Sequence, residues 1–284
     1  MRIALATAAD QVPTDQDDAP LLTAFVTAGH DAELHAWDDP AVAWAAFDAV
    51  LIRTTWDYHH RREAFVAWAE RVQAGTRVFN AAEVVRWNTH KSYLLELEER
   101  GAPTVPTAWL ARGDRIDLAV LADQRGWSEV VLKPAVGASG DGIVRTLPSE
   151  GQAALDALAA AGDALVQPYV PTIASAGELS VVLFEGEVSH AVRKVPAPGA
   201  LLVQIEHGGT YEPLEAVPAD AADLARWVVA AVGHDLLFAR VDLLVDEVGS
   251  WLVSELEVTE PGLFLHLVDE AADRLVAAVE RALS

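Results

Sequence analysis

Late in the chain, four charged residues fall on two neighbouring stretches of alternating pattern, Arg240-Val-Asp242 and Glu255-Leu-Glu257. An extended backbone puts Arg240 and Asp242 on one face, and likewise Glu255 and Glu257. Between them, Asp246-Glu-Val-Gly-Ser250 is a hairpin signal. Pairing Asp242 opposite Glu255 sets Arg240 opposite Glu257 and leaves a loop over 247–250. Cross-strand Cβ atoms then stand roughly 5 Å apart. Three carboxylates held that close repel one another unless a cation lies among them, and an oxygen-rich set suits Mg²⁺.

The surroundings of this ribbon are acidic. The 284 residues carry 20 Lys and Arg against 43 Asp and Glu, a net charge of −23, which repels nucleic acid and anionic membranes. Basic residues gathered at one place therefore need a reason. Cysteine is absent, so disulfides, thiolate zinc sites and cysteine nucleophiles are excluded. No apolar run approaches the roughly 20 residues that span a bilayer. The opening residues resemble a first strand rather than a signal peptide, so the expectation is a soluble cytoplasmic protein.

Hydrophobic periodicity divides the chain into α/β and α+β lobes. The first third alternates strands near 2–7, 32–37 and 49–53 with helices over 20–28 and 63–73, the pattern of a small parallel α/β lobe. Its first strand-to-helix loop lacks a glycine-rich turn, so the dinucleotide fingerprint is missing. A helix is expected over 89–100, capped by Thr89 and stopped by Gly101 and Pro103. A compact α+β unit follows, with strands at 105–110, 130–133, 143–146 and 164–169. Further strands between 178 and 212, a helix over 219–232, the acidic ribbon and a helix over 269–283 complete the chain. The lobes are read as 1–88, 89–172 and 173–284.

Several segments between these elements carry chemistry. Lys133 ends a strand and is followed by the small residues Gly137, Ser139, Gly140 and Gly142, whose backbone can approach a phosphate chain. No Gly-Lys-Ser/Thr follows and the next element is a strand, so this is a hairpin flap or an ordinary turn rather than a Walker loop. Lys91, taken alone, reads as a solvated lysine at the start of its helix. Gln167-Pro-Tyr169-Val170 ends a strand at a proline, which frees backbone groups to read a purine edge or simply lets the strand exit. Glu178 can accept from ribose hydroxyls or face water.

His190, Arg193 and Lys194 form a basic patch on one strand, followed by His207-Gly208-Gly209; an anionic substrate and a plain charged face explain it equally. Arg53-Thr54-Thr-Trp56-Asp57-Tyr58 follows a buried strand, where open α/β sheets bind ligands, although aromatic packing accounts for Trp56 and Tyr58 as well. His59-His60 reads as solvated. The serines lack a nucleophile-elbow pattern.

The order of these motifs resembles the ATP-grasp superfamily, most specifically in Glu255-Leu-Glu257-Val-Thr-Glu-Pro261-Gly262. Family members usually carry Asn where Glu257 stands. The resemblance implies an ATP-grasp fold with an N-terminal parallel α/β pre-ATP-grasp domain. It implies that Lys91 and Lys133 contact ATP phosphates beneath the 136–142 flap, that Gln167, Tyr169 and Val170 frame adenine, and that Glu178 holds the ribose. Asp242, Glu255 and Glu257 would ligate one or two Mg²⁺ ions, with Mn²⁺ as an alternative. Arg240, with Arg193 and Lys133, would serve catalysis. Arg53, Thr54, Trp56, Asp57, Tyr58, Lys194, His207, Gly208 and Gly209 would meet the substrate. The segments Trp37-Asp-Asp-Pro40, Arg53–Tyr58 and Val85-Arg-Trp-Asn88 are similar to the glutathione-synthetase-type branch that includes O-ureido-D-serine cyclo-ligases.

The implied activity is ATP-dependent joining of a small-molecule carboxylate to an amine through an acyl-phosphate, with ADP and phosphate released. Such chemistry needs no side-chain nucleophile, only position and charge compensation. An intramolecular cyclo-ligase and a non-catalytic nucleotide-binding module are the alternatives. No nucleic-acid or membrane partner is implied; a homodimer is a state that related folds adopt.

Overall fold

A computed structural model describes residues 1–9, 16–200, 202–205 and 208–284. It is built on three sheets. The first comprises β1 (Arg2–Thr7), β2 (Asp31–Ala36), β3 (Ala49–Thr54) and β4 (Arg77–Phe79), in the order β2-β1-β3-β4. All its pairings are parallel. Helices α1 (Asp18–Thr27) and α2 (Arg62–Gln73) provide the crossovers. Every residue of β3 is buried, the continuous apolar run that a parallel strand covered on both faces requires.

The helix expected over 89–100 begins only at Tyr93, as α4 (Tyr93–Glu99), and a separate helix, α3 (Ala82–Asn88), precedes it. The break has a tertiary cause. Asn88 at the end of α3 donates to the Leu256 carbonyl and accepts from the Val258 N–H. The Lys91 N–H then turns away to the Ala135 carbonyl at 2.8 Å. Thr89 closes α3, its Oγ1 donating back to the Val85 carbonyl, rather than opening α4.

The second sheet holds β5 (Ala108–Leu110), β6 (Val130–Pro134), β7 (Val144–Thr146) and β8 (Ala164–Pro168), ordered β5-β8-β6-β7 and antiparallel throughout. Helices α5 (Leu118–Arg125) and α6 (Gln152–Ala161) pack on it. The strand expected from 105 begins only at Ala108. Residues 103–105 pair instead beside Val253, because Pro103 and Pro106 remove the donors that a longer β5 needs.

After α7 (Ile173–Ala176), the third sheet contains β9 (Glu178–Phe184), β10 (Glu187–Val195), β11 (Thr210–Pro213), β12 (Phe238–Val245) and β13 (Trp251–Glu257). Their order is β11-β10-β9-β12-β13. Helix α8 (Ala219–Val232) covers one face with its apolar stripe, and α9 (Ala271–Leu283) joins the core shared with β1 and β3. No helix among the described residues is long and apolar enough to cross a membrane.

Candidate active site

The ribbon β12–β13 has the register that its charges dictate: Arg240 faces Glu257 and Asp242 faces Glu255. One detail differs. The register shifts after Asp242, so Leu243 pairs with Val253 and Ser254 is left over, which lengthens the loop to 246–250. Ser254 spends its hydroxyl on Glu178, 3.0 Å away. A bulge that re-aims a side chain in this manner is common beside active sites.

Asp242, Glu255 and Glu257 present oxygens that all lie within 4.8 Å of one another. Cations surround them. Arg240 donates through Nη2 to Glu257 at 2.5 Å and to Asp242 at 2.8 Å, and through Nε to Asp242 at 3.0 Å. Lys194 Nζ lies 2.6 Å from Glu178 and 3.2 Å from Asp242. Lys91 pairs with Glu255, a partner that nothing near it in sequence announces. Lys133 is close enough to feel Glu255, Lys91 and Glu178 but makes no ion pair among the described residues. Four acids, counting Glu178, thus gather with four bases.

Burial opposes the charge on each acid, and the outcome depends on its neighbours. Arg240 and Lys194 overcome burial at Asp242 and hold its carboxyl well below the usual range. Lys91 and Lys133 do the same at Glu255, which falls to about 2. At Glu257 burial wins: Arg240 compensates only in part, Asp242 and Glu255 repel, and its pKa is pushed up to about 7. Glu260 is driven up to about 8 by burial and by Glu257. Burial also lowers Lys133.

Two clefts meet at this cluster, sharing Lys194, Arg240, Glu255 and Glu257 among their walls. The smaller, of about 100 Å³, carries Lys133, Gln167, Tyr169, Val170 and Glu178. Its apolar lining of Val105, Ile173, Val203 and Leu244 offers flat surfaces to an aromatic ring. Gln167 is buried and donates to Thr107 Oγ1 at 2.9 Å. Arg145 stacks 3.5 Å over the Tyr169 ring while donating through Nε and Nη2 to the two carboxylate oxygens of Glu129. The larger cleft, about 590 Å³, runs from the cluster towards the N-terminal lobe beneath Gly137, Ser139 and Gly140. Ser139, Gly140 and Gly142 all have left-handed backbone, with φ of 52°, 77° and 74°. A side chain at Gly140 would press on Leu202 at 3.1 Å, so the flap needs its glycine there.

Other expected site residues are placed differently. Arg193 is exposed and lines neither cleft, because strand periodicity puts it on the face opposite Lys194. Lys194 belongs to the carboxylate cluster at the junction of the clefts rather than to a basic substrate patch. His190 is buried against the Leu263 carbonyl, and burial lowers its pKa to about 4. Of the 53–58 segment, only Trp56 and Tyr58 line the large cleft. Arg53 and Thr54 are still within buried β3: Arg53 donates to the Pro261 carbonyl and Thr54 bonds Thr7. Asp57 is engaged by Trp37 and Arg61. His207 lies outside the described residues. Gly208 and Gly209 turn back on 204–205, and a side chain at Gly209 would collide with the Val203 carbonyl.

Sequence reasoning gave no role to Asp17, His266 or Glu260, which line the large cleft. Asp17 accepts from His266 Nδ1 at 2.7 Å and from the Leu263 N–H. Its position after β1, at the carboxyl end of a parallel strand, was the available signal.

The donor set fits a magnesium nucleotide: hard oxygen ligands, a lysine with no ion-pair partner among the described residues, and an apolar slot beside them. Residues 104–271 match the model of the prokaryotic glutathione synthetase ATP-grasp domain, and residues 3–80 match that of the N-terminal domain of D-cycloserine synthetase DcsG. The chain belongs to the ATP-grasp family. This ATP-grasp chain is 34% identical to the cycloserine biosynthesis protein DcsG of Streptomyces lavendulae, over 98% of its own length and 97% of the relative's. It is 29% identical to a glutathione synthetase of Ralstonia nicotianae, covering 89% of this chain and 72% of that one. The crystal structure of D-cycloserine synthetase DcsG superposes with a TM-score of 0.90 at 31% identity, covering both chains fully. As an ATP-grasp ligase it is an enzyme that uses ATP and Mg²⁺ to join a carboxylate to an amine.

Proposed function

We propose that the carboxylate and the amine belong to one small amino-acid-like molecule, so that the ATP-grasp reaction closes a ring. The observation that carries this is the first lobe: it would be the substrate lobe, and residues 3–80 match the N-terminal domain model of D-cycloserine synthetase. The whole-length likeness to that synthetase supports it. In this reading 1–88 holds the organic substrate, 89–172 supplies the lid, and 173–284 carries the metal.

Asp242, Glu255 and Glu257 would hold one or two Mg²⁺ ions, which would supply neutralisation of the triphosphate charge. Lys133, lacking an ion-pair partner among the described residues, is ready for phosphate oxygen. Lys91 and Lys194, now paired with Glu255 and Asp242, would be freed to contact phosphate oxygens if those carboxylates held metal. The substrate carboxylate enters from the large cleft, beside Trp56 and Tyr58, and takes the γ-phosphoryl group. A nitrogen of the same molecule then displaces phosphate. Arg240, at the junction of both clefts, stabilises the oxyanion of that step. Flap closure keeps water from the acyl-phosphate.

Phosphate release from Mg-ATP is the test, with amino acids and O-ureido-amino acids supplied singly and in pairs. A cyclase releases phosphate with one organic substrate and yields a product lacking the free carboxylate. Release only with pairs would mark an intermolecular ligase instead.

A further inference from the structure

Between the N-terminal lobe and the flap lies a cluster that ligation does not use. His59 and His60 occupy the short 3₁₀ turn Tyr58–His60, and Asp141 belongs to the flap. The sequence alone reads the two histidines as solvated, and His60 is exposed, whereas His59 is partly buried. Their ring centroids are 3.8 Å apart, and one ligand atom from each of the three residues lies within 4.8 Å of the others.

The orientation of His59 is informative. Its Nδ1 is 2.9 Å from the Trp56 carbonyl oxygen, which can only accept, so Nδ1 carries a proton and the ring turns Nε2 towards Asp141. Nε2 is shielded from solvent and has no hydrogen-bond partner among the described residues. It stands 3.5 Å from Asp141 Oδ2. The ring nitrogen and the carboxylate oxygen thus face each other beyond hydrogen-bond reach, and a metal cation between them would bind both. Two imidazole nitrogens and one carboxylate oxygen suit Zn²⁺ and neighbouring transition ions. Mg²⁺ prefers the all-oxygen set of Asp242, Glu255 and Glu257.

We propose that His59, His60 and Asp141 form a divalent transition-metal site of the Zn²⁺ class that ties the flap to the N-terminal lobe. Three protein ligands leave a coordination position for water. Because Asp141 rides on the flap, the bound ion restrains flap opening and so slows nucleotide exchange. The metal site is independent of the cyclase reading; only its effect on turnover depends on the flap acting as the lid.

The test uses the full chain saturated with Mg²⁺ and a non-hydrolysable ATP analogue, so that the oxygen site is filled. Zn²⁺ is then titrated against a chromophoric chelator. The expected result is one Zn²⁺ per chain, with affinity reduced more than about tenfold in His60→Ala and in Asp141→Asn. Glu255→Gln should leave Zn²⁺ affinity unchanged. His60 and Asp141 are exposed, so these variants keep the core, which a thermal melt verifies. Co²⁺ should give visible absorption of a nitrogen-ligated ion in the parent that His60→Ala lacks, and Zn²⁺ alone should slow protease nicking of the flap. Zn²⁺ affinity that survives both variants, is lost in Glu255→Gln, or is missing from the parent overturns the site.

Discussion

Lys194 Nζ lies 3.2 Å from Asp242 Oδ2, and the two side chains are only 5% and 2% exposed. This lysine also neutralises Glu178, so it occupies a place that metal and phosphate must contest. Removing one partner of a buried pair leaves an uncompensated charge, at a cost of about 3–5 kcal/mol. Lys194→Met should destabilise the metal-free protein by that order. Mg²⁺ should restore part of the loss, because a second cation again joins Arg240 beside Asp242. Melting temperatures with and without Mg²⁺ check this: the rise on adding Mg²⁺ should be larger in Lys194→Met than in the parent.

Arg240 contacts both Asp242 and Glu257 and donates through Nη1 to the Gly262 carbonyl at 3.2 Å. It is therefore held rigidly where the clefts join. Arg240→Ala should raise the barrier by ~3 kcal/mol, as loss of an oxyanion donor does. The expected signature is a kcat lower by about two orders of magnitude with a smaller change in KM for ATP. Turnover at the parent rate would remove Arg240 from the reaction.

Glu257 gives a pH prediction with a definite sign. Its pKa rises from an ordinary 4.5 to about 7 on folding. The native state thus holds more protons than the unfolded chain between those values, and this group's contribution to stability falls as pH rises from 4.5 to 7. Glu255 acts in the opposite sense: lowered to about 2, it contributes stability above 4.5 that is lost as pH drops towards 2. Glu257→Gln should flatten the decline between pH 4.5 and 7 in denaturation of the metal-free protein. Mg²⁺ binding should also release a proton near pH 6.5 in the parent but not in the variant, readable by calorimetry in buffers of different ionisation enthalpy.

What the sequence discloses follows the range of each interaction. The ribbon register is legible because alternation and turn composition are local, and the opposed charges of Arg240 and Glu257 agree with both. The Ser254 bulge is not, since its cause is Glu178 on another strand. The break between α3 and α4 is invisible for the same reason: Asn88 is tied to Leu256 and Val258, far along the chain. Local propensity starts the helix at Thr89, and tertiary hydrogen bonds at Asn88 and Lys91 delay it to Tyr93. Arg193 and Lys194 are a different case. Strand periodicity already separates adjacent residues onto opposite faces, so treating them as one patch set the basic composition above the geometry.

The flap yields a further test. Ala in place of Gly140 must adopt φ near 77° beside Leu202, and left-handed backbone costs a non-glycine residue roughly 1–2 kcal/mol. Gly140→Ala should raise KM for ATP and increase protease nicking over 137–142, while global melting changes little. Mg-ATP should slow nicking in the parent. Unchanged nicking would show that these residues do not close on nucleotide.

Asn80 offers the last test, of what holds the lobes in register. It is 1% exposed, donates to the Phe238 and Val258 carbonyls at 2.9 and 2.7 Å, and accepts from the Leu237 N–H at 2.7 Å. One amide thus fastens the end of β4 to the entry of β12 and the exit of β13. Because it grips both strands of the metal ribbon, Asn80 couples the seating of the first lobe to the position of Arg240 and Glu257. Asn80→Ala strands three buried backbone groups, each worth about 1–3 kcal/mol when unsatisfied. The expected loss is about 3–5 kcal/mol, below the simple sum because a cavity of that size can admit water. Asn80→Asp can still accept from Leu237 but supplies no amide donors, so it should be no better than Ala. Urea denaturation measures both. If either variant matched the parent, the lobes would be held by their apolar contact, and the ribbon would keep its geometry without the amide.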